Sequence, residues 1–330
     1  MPKYVSFLLV AATGQEVQLG RRAAMSAITF KAHHRGFAIM LWHLRVMGLL
    51  IAATLACAAA HTARAEPRPA DGCRRAAFRV IIDVGHTEKA PGAISARGVS
   101  EFAFNVNLAR RIEQELLAAG FRRSMLLITE GPSRKGLVER VKRANALDGD
   151  LFLSVHHDSV PDEFLEKWEF EGEQRNFSDR FKGHSIFISD DNSDRAGSLL
   201  FAKLLGGQLR KRGLKYAPHY TDPIMGNRQR LLVDELAGVY RYDQLIVLKD
   251  TGMPAVLLEA GSIINREEEL RMGSAEHQAV VSAAVADAVK SFCTARARLT
   301  PANAASRAGE VSKQTRAPAT AAPERTHKQH

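Results

Sequence analysis

The chain has 330 residues, 45 % of them hydrophobic, and a formal charge of +10. That charge is concentrated at the ends: residues 1–65 carry seven Lys/Arg against one Glu, and residues 294–330 carry seven against two. The middle is close to neutral, so no basic surface for reading nucleic acid is implied, and nucleic acid is excluded as an expected partner.

Residues 1–39 precede a second methionine and read as an upstream extension, with Met40 as a candidate translation start. From Met40 to Ala65 the order is a short positive region at Arg45, an apolar run from Val46 to Ala60, and Ala63-Arg64-Ala65 before Glu66. This is the pattern of a secretory signal peptide, and the run is short for a membrane span of about 20 residues. Export to the periplasm or cell envelope is therefore expected, with membrane contact only through this segment; uncleaved, the same segment would act as an anchor. Cys57 lacks a lipoprotein context, because Thr54 stands three positions before it. Residues 66–77 read as a short linker. Cys73 and Cys293 are left at opposite ends of the remaining domain, and an oxidising compartment permits either a disulfide or two buried thiols. No Cys-x-x-Cys occurs, which argues against a zinc–thiolate site.

Between residues 78 and 293, apolar runs alternate with amphipathic stretches. Phe78–Asp83 predicts a buried strand ending in Val84-Gly85-His86. Ser100 caps a predicted helix over Glu101–Ala119, with Phe104, Leu108, Ile112 and Leu116 on one stripe and Gly120 as the stop. Met125–Thr129 predicts a strand, 136–147 a helix, and Leu151–Val155 a third strand running straight into His156. Residues 160–182 are polar and aromatic with no clean period, and read as a lid or rim loop. A strand at 185–189 and a helix at 193–211 follow. Residues 213–240 read as loop-rich. Strands are predicted at 245–248 and 255–258, then helices at 267–270 and 275–292. The alternation predicts an α/β domain with a mostly parallel sheet flanked by helices. Residues 294–330 are rich in Ala, Pro, Ser, Thr and basic residues, and read as a disordered basic tail.

His86, His156 and Glu259 fall at predicted strand ends, where open α/β sheets build their sites. Glu101 opens a helix close enough in sequence to fold back onto His86. Two imidazoles and a carboxylate form a catalytic zinc set with one position left for water, and a further carboxylate can serve as general base. Blander readings exist: Glu101 as a first-turn acid favoured by the helix dipole, the histidines as satisfied surface residues. His157 and Asp158 compete as ligands, although strand alternation turns His157 away from His156.

These residues carry a resemblance. Ile82-Asp83-Val84-Gly85-His86, Pro91-Gly92-Ala93, Glu101 at a helix start, Ser154-Val155-His156-His157-Asp158 and Val256-Leu257-Leu258-Glu259-Ala260-Gly261 occur in the order found in zinc-dependent N-acetylmuramoyl-L-alanine amidases of the cell-division type. The resemblance covers about 78–292. It implies a six-stranded sheet, one zinc held by His86, Glu101 and His156, and Glu259 as the catalytic glutamate. It also implies a supporting role for Asp83 and hydrolysis of the amide between N-acetylmuramic acid and L-alanine in peptidoglycan. Two departures stand out. Thr87-Glu88-Lys89 replaces a glycine-rich turn. The segment 160–182, with Glu163, Glu166, Glu169, Glu171 and Glu173, is either a gate that an activator protein displaces or a substrate wall. Alternatives of other classes are a zinc peptidase acting on the stem peptide and a non-catalytic wall-binding regulator.

Overall fold

The computed structural model describes residues 71–299. The expected upstream extension, the expected signal peptide, residues 66–70 of the expected linker and residues 300–330 of the expected 294–330 tail lie outside the described residues, whereas residues 294–299 are not a disordered tail but continue the last helix.

The strands are β1 (Val80–Val84), β2 (Met125–Leu127), β3 (Leu151–Asp158), β4 (Glu166–Phe170), β5 (Glu173–Phe177), β6 (Ser185–Ile188), β7 (Leu231–Asp234), β8 (Val239–Arg241) and β9 (Ala255–Ser262). The helices are α1 (Glu101–Ala118), α2 (Ser133–Ala146), α3 (Arg195–Lys211), α4 (Ile246–Lys249), α5 (Arg266–Gly273) and α6 (Ala275–Leu299). Seven strands form one sheet in the order β2-β1-β3-β9-β6-β8-β7. The neighbours β2, β1, β3 and β9 run parallel, as do β6 and β8; β6 opposes β9 and β7 opposes β8. The sheet is thus mostly parallel, with seven strands where six were expected.

Both faces of the sheet are covered, as a parallel sheet requires. On one face Val80, Ile82, Val84, Leu153, Val155 and Leu258 meet Leu108 and Ile112 of α1, Phe201 and Leu205 of α3, and Val285, Val289 and Phe292 of α6. On the other, Ile81, Phe152, Phe187 and Leu257 meet Val141 and Ala144 of α2, Val247 and Leu248 of α4, and Tyr220 and Met225. This period-two division of strand residues sets which side chains can reach the chemistry. Ser100 caps α1 as expected, its Oγ accepting from the Ala103 N–H at 3.3 Å.

Three sequence expectations need correction. Leu245–Leu248 is not a strand; the chain turns helical in α4, and Val247 and Leu248 bury against the second core. A four-residue apolar run serves either geometry, and packing alone decides. The loop-rich segment 213–240 supplies β7 and β8, strands of four and three residues too short to show a period. The segment 160–182 is no open loop: its centre is the antiparallel β4–β5 hairpin, turned at Glu171 and Gly172, whose φ values of 52° and 79° suit a two-residue hairpin turn. In addition, β3 and β9 extend past the expected ends, so His156 and Glu259 sit within strands.

Cys73 and Cys293 form a disulfide across 220 residues, joining the segment before β1 to α6. Both are buried. The bond closes nearly the whole domain into a loop and so restricts the unfolded chain. The Cys73→Ala, Cys293→Ala double variant should fold to the same structure but lose roughly 2–5 kcal/mol of stability in denaturant unfolding; an unchanged midpoint and slope would remove this role.

Candidate metal and catalytic site

Three elements deliver the predicted ligands to one point. β1 ends at Val84, Gly85 follows, and His86 adopts φ 66°, a left-handed backbone that a residue with a side chain rarely takes. That conformation is held from below. Arg140 of α2 donates from Nη2 to the His86 carbonyl at 2.7 Å and to Thr129 Oγ1 at 2.8 Å, and from Nη1 to Asp83 Oδ2 at 3.2 Å. Ser154 Oγ also donates to Asp83 Oδ2, at 2.6 Å. Burial pushes the Asp83 carboxyl up, while Arg140, Ser154 and His156 pull it back. Asp83 therefore supports the site through Arg140 and the backbone of His86. The Thr87-Glu88-Lys89 departure is absorbed by a tight turn, Thr87 and Ala90 exchanging backbone hydrogen bonds of 3.1 and 3.2 Å.

Glu101, the first residue of α1, reaches between both histidines. Its Oε2 lies 2.9 Å from His86 Nε2 and its Oε1 lies 3.0 Å from His156 Nδ1. The donor atoms of His86, Glu101 and His156 all fall within 4.8 Å of one another. Burial alone would raise the Glu101 carboxyl, but hydrogen bonds and charge from His156 and His86 outweigh it and hold the group well below the usual carboxylate range. An ionised carboxylate with two imidazoles is a donor set that suits zinc. The Ala93 N–H also donates to Glu101 Oε2 at 3.2 Å. Two glycines make room: a Cβ on Gly85 would stand 2.4 Å from the His156 ring, and one on Gly92 would stand 2.4 Å from Glu101 Oε2.

His157 lies outside this cluster. Alternation along β3 holds: His157 follows Leu153 and Val155 onto the α1 side, away from His156, and packs against Phe104. Its Nδ1 lies 2.8 Å from Asn105 Oδ1, while Asn105 Nδ2 donates to the Gly85 carbonyl and to Glu101 Oε1, each at 3.2 Å. The amide thus presents its oxygen to His157, whose Nδ1 carries the proton. Burial pushes the His157 imidazole down to about 3, so it is a neutral strut for Asn105 and, through it, for Glu101.

Glu259 is the direct cross-strand neighbour of His156, and Ser185 pairs with Glu259 from the other side. Glu259 Oε2 is buried without a hydrogen-bond partner. Burial, reinforced by the charges of Asp158 and Glu101 and opposed by Arg228, pushes its carboxyl well above the usual range. Asp158 is likewise not in the ligand cluster: its Oδ2 accepts from Tyr220 O–H at 2.7 Å and its Oδ1 from Arg228 Nη2 at 3.0 Å.

Sequence reasoning missed Arg140, Asn105, Tyr220 and Arg228. Asn105 was discoverable, one helical turn after Glu101 and so on the same face. Tyr220 and Arg228 lay in a segment with no periodic signal. The acids of 160–182 behave as solvated groups: Glu163, Glu166, Glu169, Glu171 and Glu173 are exposed and none joins the ligand cluster. The hairpin is instead pinned beside the site. Trp168 Nε1 donates to the Ala96 carbonyl at 2.9 Å, and the Arg97 and Arg266 guanidinium groups lie 5.3 and 5.1 Å from the Trp168 ring centre.

A three-layer α/β domain with a His-Glu-His cluster and a buried glutamate at one sheet edge has the makings of a metallohydrolase. Residues 80–291 match the family described as N-acetylmuramoyl-L-alanine amidase (Amidase_3), and the chain belongs to that family. It is 25 % identical over 214 residues to N-acetylmuramoyl-L-alanine amidase LytC of Bacillus subtilis (strain 168), covering 64 % of this chain and 35 % of LytC. Over 243 residues it is 24 % identical to N-acetylmuramoyl-L-alanine amidase AmiA of Escherichia coli (strain K12), covering 64 % of this chain and 75 % of AmiA. The fold is similar to that of the N-acetylmuramyl-L-alanine amidase Ami1 from Mycobacterium smegmatis, with a TM-score of 0.51 and 19 % identity, covering 66 % of this chain and 98 % of that one.

The glycine constraint is testable. Gly85→Ala should fold, because β1 and both cores are untouched, yet displace the His156 ring and lower metal stoichiometry well below one per chain by elemental analysis. Full metal content in a folded Gly85→Ala protein would show that the close approach does not govern the site.

Proposed function

We propose that the protein is a zinc-dependent N-acetylmuramoyl-L-alanine amidase that hydrolyses the amide joining N-acetylmuramic acid to the L-alanine of a peptidoglycan stem. The observation that carries the reading is geometric. Glu101 bridges His86 and His156 within 3.0 Å, and Glu259 stands beside His156 in the sheet register, inside a domain that matches the amidase family.

His86, Glu101 and His156 would hold the zinc, with side-chain exposures of 30 %, 6 % and 15 % leaving the histidine side open to substrate. When bound, zinc acidifies water and polarises a carbonyl, which is the chemistry amide hydrolysis needs. Glu259 is the general base. Its burial gives the carboxylate a high proton affinity, so it can take the proton of the attacking water and hold it away from solvent. The same carboxyl then protonates the departing alanine nitrogen. Glu101 cannot share this work, since its low proton affinity and its two histidine contacts keep it ionised. This division, with one carboxylate held down and its neighbour pushed up, is how paired acids take separate roles.

Glu259→Gln keeps the side-chain shape but cannot accept a proton. It should retain zinc and fold while losing roughly 10²–10⁴-fold in turnover on purified peptidoglycan. The new amino terminus released by the wild-type protein should be L-alanine; another residue would support a stem-peptide peptidase, and near wild-type turnover in Glu259→Gln would overturn the mechanism.

We also propose that the protein is exported. The signal-like segment 40–65 motivates this, and the buried Cys73–Cys293 disulfide supports it, because such bonds persist in oxidising compartments. Among the described residues no helix is long and apolar enough to cross a membrane. Mass spectrometry of protein recovered from the cell envelope should find a chain beginning at Glu66 with its two cysteines oxidised. A reduced, full-length chain in the cytoplasmic fraction would refute export.

A further inference from the structure

One buried acid near the site has no part in the proposed chemistry. Asp158 lies just past the His156 ligand on β3 and is 3 % exposed. It is held by three donors: Tyr220 O–H to Oδ2 at 2.7 Å, Arg228 Nη2 to Oδ1 at 3.0 Å, and the Ser159 N–H to Oδ1 at 2.8 Å. Arg228 Nη2 also donates to the phenolic oxygen of Tyr220, Oη, at 3.2 Å. Asp158 and Tyr220 thus grip one corner of a guanidinium.

That grip leaves most of the guanidinium unused. Both hydrogen bonds of Arg228 come from Nη2. Its side chain remains 37 % exposed, although Asp158 beneath it is buried. The charge of Arg228 reaches Glu259. A long, flexible side chain has been fixed from below at the reacting end of the sheet, with Nη1 and Nε left over. Preorganisation of this kind suits recognition more than stability, since a purely structural ion pair gains nothing by leaving donors to water. The planar fork matches a carboxylate in two parallel hydrogen bonds.

We propose that Arg228 is a specificity-determining residue that binds a carboxylate of the stem peptide, so that the enzyme prefers stems with free carboxylates over stems in which they are amidated. The inference rests on the amidase reading. It assigns the peptide part of the substrate to the side of the site on which Tyr220 and Arg228 lie, with Asp158 and Tyr220 as positioning residues for Arg228.

The experiment uses the zinc-loaded full chain and two muramoyl-peptides of identical sequence, one with free carboxylates and one with those carboxylates converted to amides. Wild-type protein should favour the free form by roughly tenfold to a hundredfold in kcat/KM, chiefly through KM. Arg228→Gln should erase the preference while still releasing L-alanine amino termini. Arg228→Lys, which keeps the charge and loses the fork, should recover only part of it. Tyr220→Phe, which removes one of the two supports that position the fork, should weaken the preference without erasing it. Equal wild-type cleavage of both substrates would overturn the inference and leave the amidase reading standing, and this arm decides even if Arg228→Gln does not fold. A preference unchanged in folded Arg228→Gln or Arg228→Lys would also overturn it. Failure of wild-type protein to free L-alanine from either substrate would overturn both readings together.

Discussion

The site depends on Glu101 standing with one oxygen against each of two histidines that arrive from different strands. A carboxylate in that position is costly, because burial disfavours its charge. The cost is met by converging donors: His86, His156, the Ala93 N–H and Asn105 all face its oxygens. Its place at the start of α1 adds the favourable end of a helix dipole. Much of the surrounding structure serves to keep these donors in line.

Two layers of support do this on opposite sides of the sheet. Under α1, His157 fixes the Asn105 amide, and Asn105 ties Glu101 to the Gly85 carbonyl. Under α2, Arg140 ties the His86 carbonyl to Asp83, Thr129 and, through Asp83, to Ser154. The Arg140–Asp83 pair is almost wholly buried, at 3 % and 0 % side-chain exposure, so its worth lies in position more than in net stability. His86 and Glu101 are therefore each located by a hydrogen-bonded residue, Arg140 and Asn105, that itself belongs to a packed helix.

The third carboxylate, Glu259, follows the opposite rule. It has no compensating donor at Oε2 and lies near two other acids, Asp158 and Glu101. Proton affinity rises for want of donors, where for Glu101 it falls through their abundance. Parallel pairing of β3 with β9 brings the two behaviours side by side, because the register sets Glu259 against His156. Arg228 and Tyr220, from the far side of the chain, complete the wall around Asp158.

The sequence alone determined the α/β class, most core strands and helices, and the identity of His86, Glu101, His156 and Glu259 as candidates. It could do so because long buried strands and amphipathic helices impose a period, and because motifs at their ends are local. It determined that Cys73 and Cys293 were available to pair, but not that they do. What only the tertiary structure decided was everything set by contact between distant segments. Leu245–Leu248 became helical because its burial against α2 and the second core, not its composition, chose the geometry. β7 and β8 exist because sheet neighbours complete their hydrogen bonds. Alternation turned His157 away from His156, but only the packing of α1 on that face decided that it would meet Asn105. Arg140 and Arg228 acquired their roles from residues dozens of positions away, and no period or motif in a one-dimensional chain encodes which arginine will meet which buried acid.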